Sequence, residues 1–367
     1  MPMTDLPGSV SLLESPLHAL KLLLARVREP SNPGLALRML VDHDLDQLPL
    51  PGQGDTLGRW QALACVASVD LSLAKLFEGH TDALAILAEL AVPASFRTVP
   101  SMAASAMPDV AHDHRLWGVW CAEPPDHRVT ILSMPDGSAT LSGVKAWCSG
   151  AASLSHAVVS GWNADGESCL AAVALDQAGV TITNQGWHAV GMRASGSVNV
   201  IFDKAVGVAV GPPGAYLRRP GFLHGGAGVA ACWYGGLNHV ADALRAALSP
   251  AFSAGSCDAH RLAHLGAVDV AMVQARAALR DAAGHIDAHP QDDCALACAR
   301  ARLAVESAAS QVLERASRAL GAGPLCRDAA FAQLMADLPV FIRQSHAERD
   351  QAAHGAVVLR QDTSWAL

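Results

Sequence analysis

The stretch LSGVKAWCSG, residues 141–150, decides how the rest of the chain is read. It reads as the end of a strand, with Leu141, Val144 and Ala146 apolar, and closes on Ser149-Gly150. In an extended strand, residues i and i+2 face the same side. Trp147 and Ser149 then share a face, a flat indole beside a hydroxyl, and Cys148 points the other way into a sheet core. On these residues alone two readings stand. One is a buried Trp capping a strand, with Ser149 bonded to its own backbone. The other is one wall of a site for something flat and aromatic.

The flanking sequence is of the same kind. RVTILS (128–133), HAVVSGW (156–162), CLAAVAL (169–175), VTITNQ (180–185) and SVNVIFD (197–203) are short, rich in β-branched residues and partly alternating. PDGS and NADGES punctuate them, and Pro135-Asp136-Gly137 reads as a tight hairpin turn. An antiparallel β domain, sandwich or small barrel, is the expectation.

On both sides the period lengthens. GRWQALACVASVDLSLAKLF (58–77) has helical spacing of its apolar residues. Leu265, Val268, Met272, Ala275 and Leu279 trace one helix face; Val305, Ala309, Val312, Ala316 and Leu320 trace another, with Gly321 as its stop. A third helix is expected from about Ala329 to His354, broken or kinked at Pro339. The expected plan is a multidomain α+β chain: an N-terminal helical domain over 1–115, a middle β domain over 116–212, and a C-terminal four-helix bundle over 213–367.

Composition narrows the function classes. The formal net charge is −8, and no basic stripe runs along the chain, which argues against nucleic acid as a partner. No secretory signal pattern opens the sequence. LHALKLLLARV (17–27) is short and interrupted by Lys21, so it reads as an amphipathic helix and not a membrane span. Nine scattered cysteines fit reduced thiols in a cytoplasmic protein. Cys294 and Cys298 read as small helix-face residues, and no metal site is expected. HIDAH (285–289) reads as a solvated helix end. Glu78 and His80 in EGH either line a substrate mouth or merely end a helix.

Three stretches in this order resemble the acyl-CoA dehydrogenase superfamily of flavoproteins: GVWCAEPPD (118–126), LSGVKAWCSGAASLSHAVV (141–159) and GWHAVGMRASGSVNVIFDKAV (186–206). The resemblance implies the same α–β–α architecture, with FAD lying between the β domain and the bundle. It implies that Trp147 packs on the flavin, that Ser149 bonds near its polar edge, and that Cys121 and Ala122 offer backbone groups to its pyrimidine. It places Gly321 and Gly323 where a neighbouring subunit's FAD is approached. Arg193 either pairs with a substrate carboxylate or phosphate, or locks the domain through a buried ion pair. The implied activity is α,β-dehydrogenation of an acyl-CoA or another acyl thioester, in a homodimer or homotetramer, with an electron-transfer or reductase partner.

The sequence also departs from the family pattern. Ala122 replaces a Thr, Gly-Ser-Asp does not follow Glu-Pro, and no Arg-x-x-Phe-Gly stretch appears. The usual Glu base aligns with Gln344 or Ser345, and GFLHGGAGVAA (221–231) supplies no carboxylate. His346 is the expected replacement, with Glu348 or Asp350 behind it. Ser149-Gly150 and His346 also match a flavin monooxygenase branch of the same fold. A scaffold that has lost catalysis is the third reading.

Overall fold

A computed structural model describes residues 16–26, 32–90, 115–292, 294–360 and 365. Helices α1 (Pro16–Leu24), α2 (Pro33–Asp42), α3 (Thr56–Ala67) and α4 (Leu71–Glu89) come first. Their starts follow capping chemistry. Asp55 accepts a hydrogen bond from Gly58 N–H, Asp70 from Leu73 N–H, and Asn32 from Leu35 N–H just before Pro33. Helix α4 is buried on nearly every side, as expected of a helix enclosed by other elements.

Seven strands follow: β1 (Trp117–Trp120), β2 (Val129–Ser133), β3 (Ser138–Cys148), β4 (His156–Trp162), β5 (Ser168–Ala174), β6 (Val180–Ile182) and β7 (Val198–Ala209). They run in the order β1-β4-β2-β3-β7-β5, with β6 on β7, and β4 also pairs β5. The path therefore returns on itself as a small barrel. The expected hairpin joins β2 and β3, where Gly137 has φ 85° and donates to Met134 O at 2.9 Å. Two pairings correct the all-antiparallel expectation: β1 runs parallel to β4 over four residue pairs, and β2 meets β4 in parallel at Thr130–Trp162.

Helices then return: α5 (Ala215–Arg218), α6 (Pro220–Ser253), α7 (Ala259–Ala288), α8 (Ala295–Leu320), α9 (Ala322–Arg327), α10 (Ala329–Phe341) and α11 (Glu348–Arg360). The long α6 packs against α3, α4, α7, α8 and α10. Its Gly235 is required by the α3 crossing, because a Cβ there would overlap the Ala64 carbonyl. The expected helix from 329 to 354 is two helices. Pro339 lies inside α10, and the break comes at 342–347 instead. Helix α7 alone among the described helices is long and apolar enough to cross a membrane by length and composition, and it packs on α6, α8 and α3. No disulfide joins the nine cysteines, and no metal-binding cluster occurs among the described residues. Cys294 and Cys298 are buried, as helix-face residues should be.

Candidate functional site

The first two of the three stretches are joined by a buried ion pair. Lys145 is 1% exposed, and its ammonium bonds Glu123 Oε1 at 2.6 Å, Ser160 O at 2.9 Å and Ser160 Oγ at 2.8 Å. All three of its protons are thereby used. Glu123 also accepts from Ser160 Oγ and, at 3.1 Å, from Trp162 Nε1.

The second and third stretches are joined by serines. Ser149 Oγ lies 2.8 Å from Ser197 Oγ, and Ser197 Oγ lies 2.8 Å from Ser195 Oγ. Ser195 Oγ donates to Met192 O at 2.7 Å, and Gly150 N–H donates to Ser195 O at 2.7 Å. A carbonyl only accepts, so a chain that satisfies all three bonds runs one way, from Ser149 to Ser197 to Ser195 to Met192 O. Ser149 is then left with lone pairs to offer, not a proton. The loop also reaches α10: Met192 N–H donates to Asp337 Oδ1, and a Cβ on Gly191 would overlap the Ala336 carbonyl.

Trp147 is 51% exposed, with φ 58° in the left-handed region. The β3–β7 register slips between Lys145 and Cys148, so Trp147 sits on a bulge. This corrects the extended-strand argument for a shared face. The bulge aims the indole outward, and Ser149 N–H turns back to Trp147 O at 3.0 Å. Cys148 does point into the core, and burial pushes its thiol pKa up.

Cys121 and Ala122 follow β1 and are half-buried. Behind Cys121 lies a polar cluster. Tyr216 hydrogen-bonds the Cys121 thiol, whose pKa is pushed up to about 11, chiefly by burial. The Arg219 guanidinium lies 5.3 Å over the Tyr216 ring and pairs with Glu89 at 2.8 Å and Asp82 at 3.7 Å. Burial raises the Asp82 carboxyl and the Tyr216 phenol. Lys75 pairs with Glu78 at 2.8 Å one turn away. His224 is buried beside them, and desolvation lowers its pKa, so it stays neutral.

Several expectations change here. EGH lies in the middle of α4, not at its end. His80 is a clamp: Nδ1 accepts Trp117 N–H at 3.1 Å, so Nε2 carries the proton toward Asp46 at 3.0 Å. Arg193 is exposed on a one-turn helix and makes no ion pair among the described residues, which removes the buried-lock reading. His346 has an exposed side chain, 3.4 Å from Asp350 Oδ1, with its N–H on Asp350 Oδ2 at 2.9 Å. Glu306 is held by Arg343 at 2.6 Å and Ser345 Oγ at 2.5 Å. Gly321 ends α8 and Gly323 lies in α9, both in open surroundings. HIDAH ends α7, but its Asp287 is engaged, bonding Thr56 N–H at 2.9 Å at the start of α3.

The stripe Lys75, Glu78, Asp82 and Glu89 was present as helical spacing in the sequence. Charges at that spacing ordinarily mark a solvated face. Here α6 covers most of the stripe, leaving Glu89 at its exposed end. His224 had no signal beyond being a histidine among glycines.

No family model matches the chain, and no curated protein matches its sequence. Solved structures do match. TdsC from Paenibacillus sp. A11-2, a dibenzothiophene monooxygenase crystallised with FMN and indole, superimposes with a TM-score of 0.79 at 20% identity, over 96% of this chain and 98% of that one. Nitrososynthase from Micromonospora carbonacea var. africana gives 0.73 at 20% identity, over 95% and 94%. Butyryl-CoA dehydrogenase from Megasphaera elsdenii gives 0.76 at 15% identity, over 96% and 100%. The order of elements, the closed sheet between helical segments and these superpositions agree: by its fold the chain is acyl-CoA dehydrogenase-like.

Proposed function

We propose that the chain is a flavin-dependent monooxygenase of small planar substrates, with the flavin ring against Trp147. The observation that carries the flavin reading is the convergence of three sequence stretches on one bulge. It leaves a half-exposed indole at Trp147, the lone pairs of Ser149 two residues on, and Cys121–Ala122 at the end of β1. A flat face, a positioned acceptor and strand-end backbone groups fit an isoalloxazine ring. The chemistry a bound reduced flavin supplies is the two-electron reduction of dioxygen, one oxygen atom going to substrate and the other to water.

Oxygenation is favoured over dehydrogenation by how the carboxylates are engaged. Dehydrogenation needs a free carboxylate base for the α-proton. Glu306 is taken by Arg343 and Ser345, Asp350 by the His346 N–H, Glu78 by Lys75, and Glu89 and Asp82 by Arg219, while Glu348 stands exposed to solvent at the start of α11. The TdsC match, a monooxygenase crystallised with FMN and a planar heteroaromatic, supports the same choice. In this reading the Ser149–Ser197–Ser195 chain orients the ring edge and the Lys145–Glu123 pair holds the bulge.

The test uses the purified full chain. With chemically reduced FMN or FAD, oxygen and indole, the expected product carries one atom of ¹⁸O from labelled dioxygen. With oxidised flavin and a panel of acyl-CoAs without oxygen, the flavin band should persist. Bleaching by an acyl-CoA would establish dehydrogenation instead, and inactivity in both arms would favour a scaffold.

A further inference from the structure

A pocket of about 140 Å³ opens beside the start of α6, its polar lining His224, Arg219, Glu89, Gln53 and Gln291 and its apolar lining including Leu50. His224 is 2% exposed, and neither of its ring nitrogens has a hydrogen-bond partner. Arg219 Nε is likewise buried without one. Buried polar atoms are almost always bonded, and leaving one bare costs about 1–3 kcal/mol. Three such atoms around one pocket mark a site that is completed by something else.

Charge selects its class. The groups that face His224 are Glu89 from α4, Arg219 from the turn before α6 and Asp287 from α7. The Arg219 charge is already met by Glu89 and Asp82, so the pocket has no surplus positive charge for an anion. A neutral imidazole offers one lone pair and one N–H, and Arg219 Nε–H offers a second donor. A hydroxyl complements two of the three, donating to the imidazole lone pair and accepting from the guanidinium. A cavity of this size admits a ring as large as benzene.

We propose that this pocket binds the hydroxyl end of a neutral aromatic ligand, held between His224 and Arg219. Arg219 links the pocket toward the proposed flavin site, lying over Tyr216, which bonds Cys121. The inference rests on the proposed function for its catalytic meaning, naming the polar end of the substrate, but the binding itself requires no flavin.

The experiment is calorimetric titration of the flavin-free full chain with phenol, toluene and benzoate. Phenol should bind, with toluene and benzoate each about tenfold weaker, the worth of one hydrogen bond to a buried group. His224→Leu should erase the preference for phenol over toluene, and His224→Gln should keep part of it. His224→Leu removes unpaired polar atoms, so its melting temperature should not fall; a folded variant with unchanged phenol preference overturns the inference. So does tighter binding of benzoate, or equal binding of phenol and toluene by the unaltered chain. Failure here with oxygenation intact sinks only the pocket, and phenol binding without oxygenation sinks only the proposed reaction.

Discussion

The Lys145–Glu123 pair should respond unequally to losing either member. Lys145 is 1% exposed, whereas the Glu123 side chain keeps 30% of its surface. Glu123→Ala strands a fully buried ammonium on Ser160 alone, and breaking a buried pair in this way costs about 3–5 kcal/mol. Lys145→Met fills nearly the same volume and leaves Glu123 with Ser160, Trp162 and solvent. Its cost is the lost charged hydrogen bonds less the relieved desolvation, about 1–2 kcal/mol. The double variant should resemble Lys145→Met, so the coupling should equal the cost of Glu123→Ala, about 3–5 kcal/mol. Urea unfolding followed by circular dichroism measures all four proteins. If Lys145→Met cost more than Glu123→Ala, or if the two effects simply added, the argument from unequal burial would be refuted.

Two further outcomes test the frame around the site. Gly191→Ala should lose about 1–3 kcal/mol by urea unfolding, because its Cβ overlaps the Ala336 carbonyl and must push α10 from the loop. Asp70 caps α4, and burial raises its carboxyl to about 6 against the opposing bond from Leu73 N–H. The unfolded carboxyl ionises near ~4. Between those values the folded chain holds the extra proton, so this group's contribution to stability falls as pH rises from 4 to 6 and stays low above. Asp70→Asn keeps the cap without ionising. Relative to the unaltered chain it should gain about 1–3 kcal/mol on going from pH 4 to pH 7, read from paired urea curves.

Periodicity made the α–β–α order legible, and turn chemistry made the Pro135-Asp136-Gly137 hairpin legible, because both are local. Cys148 was readable as a core residue for the same reason. The bulge at Trp147 was not: a tryptophan at positive φ is set by β7 across the sheet, not by its neighbours in sequence. The parallel pairing of β1 with β4 depends equally on distant partners. EGH looked like a helix end because charged residues usually lie at the surface, yet α4 is enclosed and pairs its charges internally. Arg193 by residue type left a substrate anion and a buried lock equally open, and only its exposed one-turn helix removes the lock. The resemblance located the three stretches, but the Glu123–Lys145 and Ser149–Ser197 bonds that unite them required coordinates.

The flavin wall at Trp147 is tested most directly by titrating oxidised FMN and FAD into the purified protein and following tryptophan and flavin fluorescence. The unaltered chain should bind at least one flavin saturably. Binding by Trp147→Ala should be about tenfold weaker, and loss of the half-exposed indole leaves the fold intact, so that both proteins melt alike. A protein that ignores both flavins, or a Trp147→Ala variant that binds as the unaltered chain does, would contradict a flavin wall at Trp147.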